Sequence, residues 1–235
     1  MKMTDLSKTF WQQGYLVIDD FFSTESMNSL QSVIIEHYGL DPKYEHEAAF
    51  LSKSATEVIP WFPRKSDERI FDEIEYCKKM KTLTEAILGE HWKSLYCMTM
   101  FSKKGSKGQA WHQDCPPVDP QRFNLNRLVY SMDINDQVGG EVLVMPGSHQ
   151  LGELPAGEVN EDFSEQIILA PKKGSLVVIH VHTWRRVLPI KGAYRVSTNY
   201  RAVPQNTPED ITDICVYRNM IYQFSTSKVL EEGLI

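Results

Sequence analysis

Trp111-His112-Gln113-Asp114 sets an imidazole and a carboxylate two residues apart. In an extended segment successive side chains alternate faces, so His112 and Asp114 point the same way. Together they supply two-thirds of a 2-His-1-carboxylate triad, the ligand set of non-haem Fe(II) oxygenases. An H-x-D pair also occurs at ordinary strand ends, so the metal reading depends on what the rest of the chain adds.

The elements around this pair are β-rich. Leu95 to Phe101, Ala110 to Asp114, Leu125 to Ile134, Glu141 to Met145, Ile167 to Leu169, Ser175 to Val181 and Tyr194 to Ala202 read as strands. Gly and Pro turns separate them, as at Pro116-Pro117, Gly139-Gly140, Pro146-Gly147 and Lys191-Gly192. The N-terminal third is different. After a short strand at Gly14 to Ile18, Ser23 serves as N-cap of a helix that runs to about His37 and stops at Gly39. A second helix starts at Ser66-Asp67-Glu68, carries Ile70, Phe71, Ile74, Cys77, Leu83 and Ile87, and ends at Gly89. Residues 40–65, with Pro42, Pro60 and Pro63, read as a loop. The expectation is a mainly β chain with supporting helices, a jelly roll preceded by a helical third. It is read as one domain: helical support over 1–91, barrel core over 92–203 and a tail over 204–235.

The chain has 235 residues and a net charge of −6, which argues against a nucleic-acid footprint. Cys77, Cys97, Cys115 and Cys215 form no C-x-x-C pair, so neither a zinc knuckle nor a disulfide framework is expected. Scattered thiols fit a reducing compartment, and no run approaches a membrane span. The expected location is cytoplasmic, with a small-molecule substrate and neither nucleic acid nor membrane as partner. Lys103, Lys104, Lys107 and Arg127 are candidates to favour an anionic substrate.

Several segments together resemble the phytanoyl-CoA dioxygenase (PhyH-like) family of Fe(II)/2-oxoglutarate oxygenases. They are Trp111 to Asp114, Gly139-Gly140-Glu141 through Pro146-Gly147-Ser148-His149, Gly174 through His180, Arg195-Val196-Ser197 and Tyr200-Arg201. The resemblance covers roughly residues 10–203. It implies a double-stranded β-helix of the cupin-like kind, with Fe(II) as cofactor and 2-oxoglutarate as cosubstrate. It also implies hydroxylation of a small-molecule or acyl substrate, since Asp114 is present. By the same resemblance His112 and Asp114 are metal ligands and Arg195 anchors 2-oxoglutarate, a role suited to a planar guanidinium. Ser197 shares the strand face of Arg195 and adds a hydroxyl. Met98 and Tyr130 lie on strands expected to line the barrel, where the resemblance makes them candidates to contact 2-oxoglutarate beside plain core packing, and Gln113 is placed on the cosubstrate side. His149 is expected to cap a loop, and His180 to pack inside the sheet.

One position departs from the family pattern. The distal histidine typically falls five residues after the position matched by His180, and here that residue is Arg185. Arginine stays protonated and offers no lone pair to a metal. Three readings stay open. His182 serves as the third ligand, or iron binds through His112 and Asp114 alone, or the site is degenerate and the chain is a pseudoenzyme or binding protein on the same fold.

Overall fold

A computed structural model of the chain describes residues 3–44, 58–63, 68–119, 122–158, 161–207, 215–217 and 220–222. Its strands are β1 (Tyr15–Ile18), β2 (Val58–Trp61), β3 (Lys93–Lys103), β4 (Gln109–Gln113), β5 (Leu125–Val129), β6 (Val142–Val144), β7 (Ile167–Leu169), β8 (Leu176–His180), β9 (Arg185–Val187), β10 (Tyr194–Val203), β11 (Cys215–Tyr217) and β12 (Met220–Tyr222). They form two sheets, ordered β1-β8-β5-β10-β3-β2 and β12-β11-β4-β9-β6-β7. Among the described residues the strands pair antiparallel. From β4 to β10 the chain passes repeatedly from one sheet to the other. That winding produces the expected jelly roll.

Alternation along the strands decides what each face meets. Val177 and Ile179 of β8, Leu128 of β5, and Val142 and Val144 of β6 meet between the sheets, with Tyr130 and Ile134. Leu176 and Val178, one step out of phase, face outward and pack with the helices. β8 is therefore buried on both sides and reads as an unbroken apolar run.

The helices cover the outer face of the first sheet. They are α1 (Met3–Gln13), α2 (Thr24–Tyr38), α3 (Arg69–Glu75) and α4 (Lys78–Leu88). α2 starts and stops where expected: the Ser23 side chain accepts from the Ser26 amide, and Gly39 closes the helix at φ +69°. The helix expected from 66 to 89 is instead two, because the backbone is extended at Cys77 (φ −60°, ψ 149°). α1 covers a segment for which no element was expected. Leu6 and Phe10, four residues apart, bury on the core, and the Ser7 hydroxyl donates to the Ala86 carbonyl at 2.7 Å.

Four further strands, β2, β9, β11 and β12, lie outside the expected set. β2 falls within the segment read as a loop and sits at a sheet edge, where Pro60 removes no interior ladder bond. Part of that loop lies outside the described residues. β9 is only Arg185-Arg186-Val187 and has no hydrophobic alternation to announce it. β11 comes from the tail and pairs with β4, with Val216 opposite Gln113 and Tyr217 opposite His112.

Candidate functional site

His112 lies near the end of β4 and Asp114 just beyond it, both almost fully buried. They share a side: His112 Nε2 is 3.6 Å from Asp114 Oδ1. His112 Nδ1 is 2.8 Å from the Ala110 carbonyl, which can only accept, so the proton sits on Nδ1. Burial, and next the Arg185 charge, push the imidazole down to about 4, so it is neutral at pH 7.

β9 runs between β4 and β6, with Arg185 opposite His112 on one side and Val144 on the other. Register partners point to the same face. Arg185 therefore enters the barrel, while Arg186 turns outward over Trp111 and pairs with Asp162 at 3.4 Å. Arg185 Nη2 donates to Asp114 Oδ1, and Arg201 Nη2 donates to Asp114 Oδ2. Asn126 Nδ2 adds a 3.0 Å bond to Oδ2, Asn199 braces Asn126 at 2.9 Å, and Arg201 Nη1 donates to Asn124 Oδ1 at 2.8 Å. Burial alone would push the Asp114 carboxyl up. The Arg185 and Arg201 guanidiniums outweigh it and hold the group well below the usual carboxylate range.

This arrangement does not fit a resident iron. Both Asp114 oxygens are engaged by guanidiniums, the third ligand position carries a fixed cation, and a divalent metal there would face like charge. Among the described residues no group of three or more His, Cys, Asp or Glu side chains is placed to hold a metal ion.

His182 accordingly does not join His112 and Asp114 in a ligand set. Its ring lies 5.0 Å from that of His180, its amide donates to His180 Nδ1 at 3.1 Å, and its Nε2 is buried without a hydrogen bond. Burial lowers its pKa, offset in part by a backbone hydrogen bond at Arg122. His180 packs inside the sheet as expected, stacked on Phe123 at 4.8 Å and close to Trp11 and His149. His149 Nε2 lies 3.1 Å from the Trp11 carbonyl and so fastens the end of α1.

Arg195 and Ser197 come together as expected. Successive odd positions of β10 (Arg195, Ser197, Asn199, Arg201) line one face, and each is buried. Arg195 Nε donates to the Gly140 carbonyl at 2.9 Å, Nη1 to Ser197 Oγ at 3.1 Å and Nη2 to the Tyr130 hydroxyl at 3.4 Å. A guanidinium has five N–H donors. These bonds use three and leave two for a carboxylate. Gly140 must be glycine: its φ is +75°, and a Cβ there would lie 2.6 Å from Ile190 Cδ1 and collide with Arg195 Cδ.

Other expected site residues have different work. Gln113 is turned away from the cosubstrate cluster. Its amide nitrogen Nε2 donates to the Gly152 and His182 carbonyls at 3.1 and 2.8 Å, and its Oε1 accepts from the Leu154 amide at 2.8 Å. Met98 packs beside Phe62 and Tyr96. Arg127 faces out of the barrel, where it pairs with buried Glu75, donates to Thr84 at 3.1 Å and to the Tyr200 carbonyl at 3.1 Å, and lies over Trp92. It fastens α3 and α4 to the sheet and does not supply substrate charge. Arg201, Asn126 and Asn199 were not singled out from the sequence as site residues. The parity of β10 carried the signal for two of them, since positions two apart from Arg195 and Ser197 must share their face.

Three solved structures illustrate the likeness of fold. The epimerase SnoN in complex with Fe3+, alpha ketoglutarate and nogalamycin RO is 13% identical, with 86% of this chain and 83% of that chain covered at a TM-score of 0.66. HygX from Streptomyces hygroscopicus, with nickel and 2-oxoglutarate bound, is 14% identical, with 96% of each chain covered and a TM-score of 0.67. The non-heme alpha ketoglutarate dependent carbocyclase SnoK from nogalamycin biosynthesis is 12% identical, with 91% and 85% covered and a TM-score of 0.66. No curated protein matches the chain by sequence. No helix among the described residues is long and apolar enough to cross a membrane. The family model of phytanoyl-CoA dioxygenase (PhyH) matches residues 10–186, a span that includes His112, Asp114 and Arg185 and ends before Arg195. The chain therefore belongs to the phytanoyl-CoA dioxygenase family, whose enzymes are of the non-haem iron, 2-oxoglutarate-dependent type.

Proposed function

We propose that this chain keeps the cosubstrate end of a 2-oxoglutarate oxygenase and has exchanged the iron end for an internal ion-pair network. On this reading it is a catalytically impaired member of its family, a single-domain protein that binds a small molecule in the barrel. One observation carries the proposal: Asp114, the carboxylate of the expected triad, is bracketed by Arg185 and Arg201. Removing a buried carboxylate from two guanidiniums would leave both without their counter-ion, so the network resists opening to admit a metal. The Arg195, Ser197 and Tyr130 cluster supports retention of an anion site.

A second reading is a working oxygenase that hydroxylates a small-molecule or acyl substrate. It is favoured by His112 and Asp114, which still share a face at 3.6 Å, and by family membership. It requires Arg185 to leave Asp114, with His182 released from His180 to serve as third ligand or with iron held by two side chains. The test is aerobic conversion of 2-oxoglutarate to succinate with Fe(II) and ascorbate. The first reading expects no succinate above a protein-free control. Iron-dependent succinate abolished by His182→Ala or Asp114→Ala establishes the second.

A further inference from the structure

Arg185 has one more donor group than Asp114 uses. Its Nη2 holds Asp114, while Nη1 is buried without a hydrogen-bond partner, in a side chain that is 9% exposed. A buried cationic donor left unpaired is costly, and its natural complement is an anionic oxygen. Arg185 also faces the cosubstrate end: it shares the interior face of its register partner Val144, which packs with Tyr130, the group that accepts from Arg195. Arg185, Arg195 and Arg201 bring three positive charges to this interior, and Asp114 brings one negative charge. Buried Glu141 does not offset the surplus, because it lies out of phase with Val142 and Val144, which line the interior. The interior therefore suits an anion and repels a divalent cation.

From this we infer that Arg185 replaces the metal as the cation that holds the near end of a 2-oxo-dicarboxylate, while Arg195 holds its far carboxylate. The ligand then binds without iron. This rests on the reading that the iron end has been exchanged, and it adds the ligand class and the residue that recognises it. One carboxylate meets Arg185 Nη1 and the other meets the two remaining donors of Arg195. A monocarboxylate reaches only one of the two anchors.

The test is calorimetric titration of the full chain with 2-oxoglutarate in EDTA, with pyruvate as the one-carboxylate control. We expect saturable binding of 2-oxoglutarate in EDTA, unchanged by anaerobic Fe(II), and much weaker binding of pyruvate. Arg185→Gln and Arg195→Gln should each weaken it about tenfold to a hundredfold, as for loss of a charge-assisted bond. Arg185→His checks that the barrel still folds: it should bind weakly in EDTA and regain affinity with Fe(II). Binding in EDTA that Arg185→Gln leaves unchanged overturns the inference. So does a wild type that binds neither iron nor 2-oxoglutarate, an outcome that leaves the exchanged iron end standing. Binding seen only with Fe(II) overturns both.

Discussion

Replacing Asp114 by Asn keeps the shape of the side chain and removes the charge that Arg185 and Arg201 share. Both guanidiniums are buried, and the substitution turns an amide donor toward one of them. Removing one partner of a buried ion pair costs about 3–5 kcal/mol. That is a large part of the ~5–15 kcal/mol that holds a typical domain folded. With a urea slope of about 3 kcal/mol/M, the midpoint should fall by roughly 1–2 M. The assay is urea denaturation in EDTA at pH 7, repeated at acid pH. The folded carboxyl is held below its ordinary value of 3.8, so its stabilisation is complete above 3.8 and is lost as pH falls further. The gap between wild type and variant should therefore close in acid. An Asp114→Asn protein as stable as wild type, or more stable, in EDTA at pH 7 would refute the reasoning. That outcome is expected of an ordinary metal site, where ligands are kept for function at some cost in stability.

Other substitutions separate the roles assigned to individual residues. Gly140→Ala should weaken 2-oxoglutarate binding about tenfold by displacing Arg195, with a stability loss of about 1–3 kcal/mol from strain at positive φ; calorimetry and thermal melts measure the two effects. Glu75→Gln should cost about 3 kcal/mol by stripping Arg127 of its charge partner, yet leave 2-oxoglutarate affinity unchanged, because that pair lies outside the barrel. Gln113→Leu removes three side-chain bonds to backbone and should lower stability by about 2–4 kcal/mol in urea melts, with proteolysis near Gly152 rising first.

Much of the fold was legible because turn chemistry and alternation agree with the final pairing. The segments 95–101, 110–114, 175–181 and 194–202, β-rich between Gly or Pro turns, fall on β3, β4, β8 and β10, and Ser23 and Gly39 bracket α2. β9 was hidden because Arg185-Arg186-Val187 has no apolar pattern: one arginine is neutralised inside by Asp114 and the other lies outside on Trp111. β2 was hidden by Pro60, which an edge strand tolerates. In the site, period-2 geometry brought His112 to Asp114 and Arg195 to Ser197. What spacing could not reveal was the third partner of Asp114. His182 is near in sequence, but the turn after β8 sends it toward His180, whereas the register of β9 delivers Arg185 directly opposite His112. Ion pairs between distant strands, such as Asp114 with Arg201, depend on register across both sheets and leave no local signature.

The most direct measurement is an anaerobic Fe(II) titration with 2-oxoglutarate present, followed by calorimetry and charge-transfer absorbance, on wild type and Arg185→His side by side. An exchanged iron end predicts no saturable iron binding and no absorbance band for wild type, and gain of both in Arg185→His. Stoichiometric iron binding with a 2-oxoglutarate-dependent band in the wild type would contradict it.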